Sequence, residues 1–281
     1  MGAPPFRRDD SVLLNNRTAV VTGAASGIGR GIARALARRG CNLALADLNE
    51  DGLEETAAIV SPHDVKTTTH RLDVADRSAV AAFPDAVRAA HGGADILINN
   101  AGVAVGGTFE EIAEADFEWL FEINFWGVVR MTRAFLPLLR CSDEAHIVNI
   151  SSLFGLIAPP GQSAYCASKF AVRGFSESLR HELEAEGAKI AVTTVHPGGV
   201  NTAIATSARI PKGRNAAQRA EELDRFSKFL VMPPERAGEI IVSGMKRSKP
   251  RVLVGNDCKG AVTIQRFWPV SYWKRLAKRL K

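Results

Sequence analysis

The sequence has no long apolar run and no paired cysteine motif. No stretch reaches the ~18 uncharged apolar residues of a membrane-spanning helix, and the N-terminal residues MGAPPFRRDD lack the apolar core of a signal peptide. The four cysteines are scattered, without a CxxC pair, so neither a disulfide framework nor a metal site is predicted. These absences favour a reduced, cytoplasmic protein.

The sequence has no net positive charge outside the C-terminal end. The net charge is +6, but residues 259–281 contain seven basic side chains and no acidic one, so the rest of the chain carries about −1. A protein that binds nucleic acid through its folded body would show a broader basic surface. Nucleic-acid binding is therefore not predicted.

The chain does contain a regular alternation of apolar runs and helical patterns. Its 281 residues, 46% of them hydrophobic, suit one large domain. Continuous apolar runs predict strands covered by helices on both faces. The predicted strands are Thr18–Thr22, Asn42–Ala46, Thr68–Leu72, Ile96–Asn99, His146–Ile150, Ile190–Val195 and Val252–Val254. Helical patterns between them include Gly29–Arg39, Asp116–Leu139 and Ala164–Glu184.

This repetition predicts a single-domain α/β fold of the Rossmann type, with a doubly wound, mostly parallel, seven-stranded sheet and helices on both faces. We assign residues 17–257 to this domain and residues 1–16 to an N-terminal arm. Residues 202–234 form a long polar segment, which predicts a substrate-binding loop or lid. Residues 258–281 form a basic, aromatic C-terminal tail.

A glycine-rich turn, TGAASGIG at residues 22–29, follows the first predicted strand. Gly23, Gly27 and Gly29 allow a tight turn and a close approach of the backbone to a ligand. The helix that starts behind them offers free N–H groups and a positive dipole end to a pyrophosphate. The turn therefore predicts a dinucleotide site.

Asp47 ends the second strand, 18 residues after Gly29. A carboxylate at this place hydrogen-bonds the adenosine ribose 2′-OH and would repel a 2′-phosphate. Ser26 and Leu48 offer no positive charge to such a phosphate, and Arg30 lies inside the start of the helix. NAD is therefore favoured over NADP. The alternative interpretation is that Asp47 caps the next helix.

The next two strand ends carry further polar residues. Asp73, followed by Val74, either accepts a hydrogen bond from the adenine amino group or caps a helix. The fourth strand ends in Asn99-Asn100-Ala101-Gly102, which either contacts the cofactor or forms a purely structural turn.

The candidate chemical groups lie further along the chain. Tyr165 and Lys169 are four residues apart in a helical pattern, so they share one face of the helix. A free tyrosine has a pKa near ~10. A nearby ammonium and a positively charged nicotinamide favour the phenolate, which then exchanges a proton with an alcohol or a carbonyl. Ser152 follows a strand end and is expected to bind the reacting oxygen. Asn124 lies among apolar residues, so we expect it to be buried and to hold a water leading toward Lys169.

Together these motifs resemble the short-chain dehydrogenase/reductase family, in its smaller single-domain branch. They follow the family order from TGAASGIG through NNAG to HPGGVNT at 196–202. The resemblance implies Tyr165 as acid–base group, Lys169 as ligand of the nicotinamide ribose, Ser152 as substrate-orienting group and Asn124 as holder of a proton-relay water. The implied cofactor contacts are Gly23, Ser26, Gly27, Ile28, Gly29, Asp47, Asp73, Val74, Asn100, Ala101, Gly102, Tyr165, Lys169, Pro197, Gly198, Val200 and Thr202.

The resemblance also implies a homo-oligomer and a structural role for His196. The expected activity is NAD(H)-dependent hydride transfer between nicotinamide and an alcohol or carbonyl carbon. An NADPH-dependent ketoreductase of the 3-oxoacyl type is one alternative. A catalytically silent nucleotide-binding regulator on the same fold is another.

Apolar residues are concentrated in the expected substrate region. They are Ile204, Ile210, Phe226, Phe229, Leu230 and Met232, with Leu153, Phe154, Leu156 and Ile157 after Ser152. They predict a lipophilic secondary alcohol or ketone, although packing into the core or against a second subunit would use the same residues.

The tail is amphipathic. On a helix from Ser271, the residues Trp273, Leu276 and Leu280 fall on one side and the basic residues largely on the other. This pattern suits peripheral contact with an anionic membrane. Packing on a partner subunit and a solvated C-terminus are the other two interpretations.

Overall fold

A computed structural model describes residues 14–204, 206–211 and 228–279. Its seven-stranded sheet has the order β3-β2-β1-β4-β5-β6-β7, and every pair of neighbouring strands is parallel. The strands are β1 (Thr18–Thr22), β2 (Asn42–Asp47), β3 (Thr67–Arg71), β4 (Ile96–Asn99), β5 (Ala145–Ile150), β6 (Ile190–Pro197) and β7 (Arg251–Val254). The predicted Rossmann-type α/β fold is thus confirmed.

Helices cover both faces of this sheet. They are α1 (Gly27–Ala37), α2 (Glu50–Val60), α3 (Arg77–His91), α4 (Glu114–Phe121), α5 (Gly127–Leu139), α6 (Ser163–Ala185), α7 (Pro234–Lys246), α8 (Asn256–Phe267) and α9 (Tyr272–Arg279). Side chains of α1, α2 and α7 form one core layer with the sheet. Side chains of α3, α5 and α6 form the layer on the opposite face.

Adjacent strand residues contribute to opposite layers. In β1, Val21 packs in the layer with α1, whereas Val20 packs in the layer with α3 and α5. Side chains alternate between the two faces of a strand, so nearly every position of a strand covered on both sides is buried and most are apolar. All five residues of β1 are buried, as this requires.

The prediction of one continuous helix over Asp116–Leu139 is wrong in one respect. The segment consists of α4, a π-helical turn at Glu122–Trp126, and α5. A π turn inserts an extra residue into the helix and is frequent at functional sites. Asn124 lies inside this turn and is completely buried.

Three predicted segments are described only in part. The N-terminal arm is described at residues 14–16, and the predicted substrate loop at 202–204, 206–211 and 228–234. Phe226 and Leu280 lie outside the described residues. The predicted boundary between residues 257 and 258 falls within α8. Within the described part of the chain, no helix is both long and apolar enough to cross a membrane.

Candidate active site

The predicted site residues gather at one edge of the sheet, because all seven strands end there. They lie at the end of a strand or shortly after it: β1 (Gly23, Ser26, Gly27, Ile28, Gly29), β2 (Asp47), β3 (Asp73, Val74), β4 (Asn100, Ala101, Gly102), β5 (Ser152) and β6 (Pro197, Gly198, Val200, Thr202). Three more come from helical segments: Asn124, Tyr165 and Lys169.

The glycine-rich turn is closely packed. A Cβ atom at Gly29 would lie 2.0 Å from the carbonyl oxygen of Gly23, so no larger residue fits there. Ser26 makes no side-chain cap and the first turn of α1 has no acidic residue, which leaves its amides available to an anion. A Cβ at Gly27 would lie 3.1 Å from the Thr202 methyl group. The turn and the segment after β6 therefore meet.

Asp47 is bound to the glycine-rich turn. Its Oδ2 accepts a hydrogen bond from the Ala25 amide at 3.0 Å, and its Oδ1 accepts from the Asn49 amide at 3.1 Å. The cap of α2 is Asn49, whose Oδ1 accepts from the Gly52 amide at 3.0 Å. The alternative that Asp47 caps this helix is therefore wrong.

Arg30 is held between α1 and α2. Its Nε donates to Thr56 Oγ1 at 3.0 Å, and its Nη2 forms an ion pair with Glu55 at 2.7 Å and donates to the Ala25 carbonyl. A 2′-phosphate would have to compete with these partners for the guanidinium.

Asp73 lies two residues after the end of β3. Its Oδ1 accepts from the Ala75 amide at 2.8 Å. The cap of α3 is Asp76, which accepts from the amides of Ser78 and Ala79 at 2.9 and 3.0 Å. The capping alternative for Asp73 is therefore wrong, and its contact with adenine stays a prediction. The neighbouring Val74 is buried.

Asn100 connects the end of β4 to the glycine-rich turn. Its Nδ2 donates to the carbonyls of Thr22 and Gly23, each at 3.0 Å. Thr22 Oγ1 in turn accepts from the amides of Asn100 and Ala101 at 3.0 and 3.1 Å. The structural interpretation of this turn is thus supported. A cofactor contact by Asn100 or Ala101 stays a prediction.

Tyr165 and Lys169 lie on one face of α6. Lys169 Nζ is 5.7 Å from the centre of the Tyr165 ring and donates to the Ile150 carbonyl at 3.1 Å. Burial raises the pKa of Tyr165 to about 12, and a hydrogen bond with Ser152 opposes that shift. Burial lowers the pKa of Lys169 to about 8. Both shifts disfavour the charged form, as desolvation requires.

Asn124 faces this pair from the π turn. Its Oδ1 accepts from the Val103 amide at 2.8 Å, and its Nδ2 donates to the Val103 carbonyl at 2.9 Å and to Ser168 Oγ at 3.3 Å. A Cβ at Gly102 would lie 3.1 Å from Asn124 Oδ1 and 3.5 Å from Lys169 Nζ. Gly102 therefore keeps open the space that borders both side chains.

The segment after β6 is fixed by contacts from far along the chain. The Gly199 amide donates to Asp257 Oδ2 at 2.7 Å, and the Asn201 amide donates to the Met232 carbonyl at 2.8 Å. Asp257 is absent from the predicted site because an acidic residue in the first turn of a helix is common on any helix. Only the tertiary structure brings it to Gly199.

A family model for short-chain dehydrogenases matches residues 17–212. The chain belongs to the short-chain dehydrogenase/reductase family. It is therefore an oxidoreductase by family, and the resemblance that the sequence motifs carry is confirmed.

Relatives and solved structures of the family resemble the chain over most of its length. SadH of Mycobacterium tuberculosis, named as an oxidoreductase, is 44% identical over 261 residues, which are 93% of this chain and 94% of SadH. A short-chain dehydrogenase/reductase from Burkholderia phymatum, solved in complex with NAD, is 30% identical with a TM-score of 0.83; the match covers 91% and 95% of the two chains. An alcohol dehydrogenase from Thermococcus sibiricus, complexed with 5-hydroxy-NADP, is 28% identical with a TM-score of 0.71 and covers 85% and 94%.

In this short-chain dehydrogenase, the residues after Ser152 form an apolar wall beside Tyr165. The ring of Phe154 meets the ring of Tyr165 edge-on, with 6.2 Å between the centroids. Leu153 and Phe154 pack in a cluster with Ile157 and the C-terminal helices. The Ala158 amide also donates to the hydroxyl of Tyr272 in α9 at 2.9 Å.

The tail of this dehydrogenase thus folds back onto its own domain. Leu276 is buried, and Tyr272 and Trp273 pack in the same cluster as Ile157 and Ile264. The sequence placed Trp273 and Leu276 on a face available to a membrane or a partner. The structure corrects this, because that face contacts the apolar wall beside Tyr165.

Proposed function

We propose that this protein is an NAD(H)-dependent dehydrogenase that transfers a hydride between nicotinamide and a lipophilic secondary alcohol or ketone, with Tyr165 as general acid and base. The observation that carries the proposal is the group of side chains at the carboxyl ends of the strands: Tyr165, whose pKa is influenced by Ser152, lies beside the buried ammonium of Lys169. Such a group suits proton transfer at an oxygen whose carbon exchanges a hydride.

The residues present fit a nicotinamide dinucleotide. The uncapped start of α1 suits a pyrophosphate, and Gly29 lets the glycine-rich turn pack tightly at this end of the helix, where a Cβ would collide with the Gly23 carbonyl. In this proposal Asp47 binds the adenosine ribose and Lys169 binds the nicotinamide ribose. The segment from Pro197 to Thr202 contacts the nicotinamide ring and its carboxamide. When bound, the cofactor supplies or accepts the hydride.

The proton moves through the chain's own groups. In the oxidation direction Tyr165 takes the proton from the substrate hydroxyl, and in the reduction direction it returns a proton to the carbonyl oxygen. Ser152 donates a hydrogen bond to the reacting oxygen and orients it. The positive charge of Lys169 favours the phenolate against the effect of burial. Asn124 and Gly102 border the space in which a water would connect to Lys169.

Two observations support NAD over NADP. Asp47 presents a carboxylate at the adenosine end, bound to the Ala25 amide. Arg30, the basic residue that follows the glycine-rich turn, is already paired with Glu55 and Thr56. A 2′-phosphate would meet a negative charge there, and Arg30 would have to give up its present partners to bind it.

The lipophilic substrate is supported by the surroundings of Tyr165. Phe154 contacts its ring, and Val105, Ile112 and Leu120 pack in the same cluster as Tyr165. Such a wall has few groups that could hydrogen-bond a polyol.

We also propose that the protein forms a homo-oligomer. Two large aromatic side chains support this proposal, because Trp126 next to α5 and Phe170 on α6 are both exposed.

The decisive experiment measures NADH and NADPH formation by the purified protein with a panel of lipophilic secondary alcohols and small polyols. We expect turnover with NAD+ and the lipophilic alcohols, and a loss of roughly 100-fold or more in Tyr165→Phe, the order expected for removal of a general acid–base group. NADH binding by that variant, followed by fluorescence, should be retained. A preference for NADP+ would favour the 3-oxoacyl-type reductase instead. Binding without turnover of any substrate would favour the silent regulator.

A further inference from the structure

The turn between α8 and α9 exposes a row of apolar side chains. Phe267 is 67% exposed, Trp268 43% and Val270 94%, and Pro269 between them is exposed as well. We call residues Phe267–Val270 the FWPV turn. Exposed apolar residues normally occur singly, whereas a contiguous patch marks an interaction surface.

Positive charge surrounds the FWPV turn. The exposed basic side chains next to it along the chain are Arg266, Lys274, Arg275 and Lys278. Arg275 lies over the ring of Trp268, with its guanidinium carbon 4.5 Å from the ring centroid. No acidic residue occurs between Cys258 and the end of the sequence. The patch therefore combines exposed apolar side chains with positive charge only.

Two partners could cover this patch, a second copy of the chain or a lipid surface, and the positive charge decides between them. A second copy of the chain related by a two-fold axis would bring the same patch against itself, so that the basic side chains would face one another. An anionic lipid surface offers negative headgroups to these side chains and an apolar layer just below to Phe267 and Val270. Tryptophan also prefers the interface between water and lipid.

We propose that the FWPV turn and its flanking basic residues dock the protein onto an anionic membrane surface. The contact differs from the one that the tail pattern predicts, because Trp273 and Leu276 face the protein and the turn carries the exposed apolar groups. The docking does not depend on the proposed activity. The docked turn is, however, directly followed by α9, and α9 packs in one cluster with Leu153 and Phe154 beside Tyr165.

The test is flotation of the full chain with vesicles of phosphatidylcholine alone and of phosphatidylcholine mixed with phosphatidylglycerol. We expect flotation only with the anionic vesicles, weakened by added salt. Phe267→Ser should lower the partition constant at least about tenfold, since a large apolar side chain leaves the lipid. Lys274→Glu should lower it by about fivefold or more, because one basic residue contributes that much near an anionic surface.

Matched controls make these results specific. Phe109 is 74% exposed, so Phe109→Ser makes the same chemical change at a similar exposure elsewhere. Lys189 is exposed on the loop before β6, so Lys189→Glu makes the same charge change away from the turn. Neither control should alter flotation.

Two outcomes would overturn the docking. The first is wild-type protein that does not float, or that floats equally with both vesicles. The second is a change of oligomeric state in lipid-free light scattering when Phe267 is replaced, which would assign the turn to a subunit contact. Unchanged thermal unfolding of Phe267→Ser checks that the variant is folded.

Discussion

The Nδ1 nitrogen of His196 donates a hydrogen bond to the carbonyl oxygen of Ser152, with 2.8 Å between the two atoms. The carbonyl can only accept, so the proton resides on Nδ1. His196 is fully buried, and burial lowers its pKa to about 4. The ring therefore stays neutral, and its hydrogen bond holds the backbone of Ser152 in place. This is the structural role that the resemblance implies for His196.

We expect His196→Ala to lower kcat about tenfold or more, because the Ser152 carbonyl keeps only the Gly155 amide as a donor and the backbone of Ser152 is held less firmly. The KM for NAD+ should change little. His196→Asn keeps a donor near the same place and should recover part of the lost kcat. Steady-state kinetics on the three proteins check this, and equal kcat values throughout would contradict it.

Replacing Asp47 should change cofactor preference. Asp47→Asn keeps an acceptor for the Ala25 amide but removes the negative charge, so kcat/KM for NADP+ relative to NAD+ should rise by about tenfold or more. The exposed Asp51, in the first turn of the following helix α2, provides the control: Asp51→Asn removes the same charge and should leave the ratio unchanged. An identical ratio in both variants would remove Asp47 from cofactor selection.

Gly102→Ala should reduce activity without unfolding the protein. The new methyl group would lie 3.1 Å from Asn124 Oδ1, a tight contact that requires shifts of a few tenths of an ångström beside Lys169. We expect kcat to fall about tenfold, in line with the sensitivity of catalysis to small misplacements. Gly106→Ala meets nothing within 4 Å and is the control. Kinetics together with melting temperatures separate this effect from a loss of fold.

Two buried histidines should make the protein sensitive to acid. Burial lowers the pKa of His146 to about 3 and that of His196 to about 4, whereas an unfolded histidine titrates near 6.5. As the pH falls below 6.5 the unfolded chain binds protons that the folded chain does not. The free energy of unfolding should therefore decrease, by up to about 1.4 kcal/mol per pH unit for each histidine.

Urea unfolding at about pH 7.5 and about pH 5 measures this effect. His146→Gln should be less stable than wild type at the higher pH, since the contact of His146 with Thr193 Oγ1 at 2.7 Å is altered, but should lose less stability on acidification. His63 is exposed, so His63→Gln should retain the wild-type pH dependence. The same pH dependence in His146→Gln as in wild type would argue against the buried neutral ring.

Most of the fold could be predicted from local pattern. Strand β1 was predicted at its observed bounds, because a strand covered on both faces has a nearly continuous run of apolar residues, here Ala19–Val21 between two threonines. Strand β6 extends two residues past the predicted end at Val195, to Pro197. His196 and Pro197 read as loop residues by themselves, but they pair with Leu253 and Val254 of β7. That pairing involves residues more than fifty positions apart, which local pattern does not reveal.

By itself the sequence determined the Rossmann-type sheet, the family, and the set of residues that meet at one edge, because strand periodicity, glycine positions and motif order are local properties. Only the tertiary structure decided the π turn that buries Asn124, the hydrogen bond that the Gly199 amide donates to Asp257, and the packing of Leu276 in one cluster with Ile157. Each depends on side chains that are distant in the chain and meet only after the sheet and helices have packed. The same folding-back of the tail left Phe267 and Val270, rather than Trp273, facing solvent.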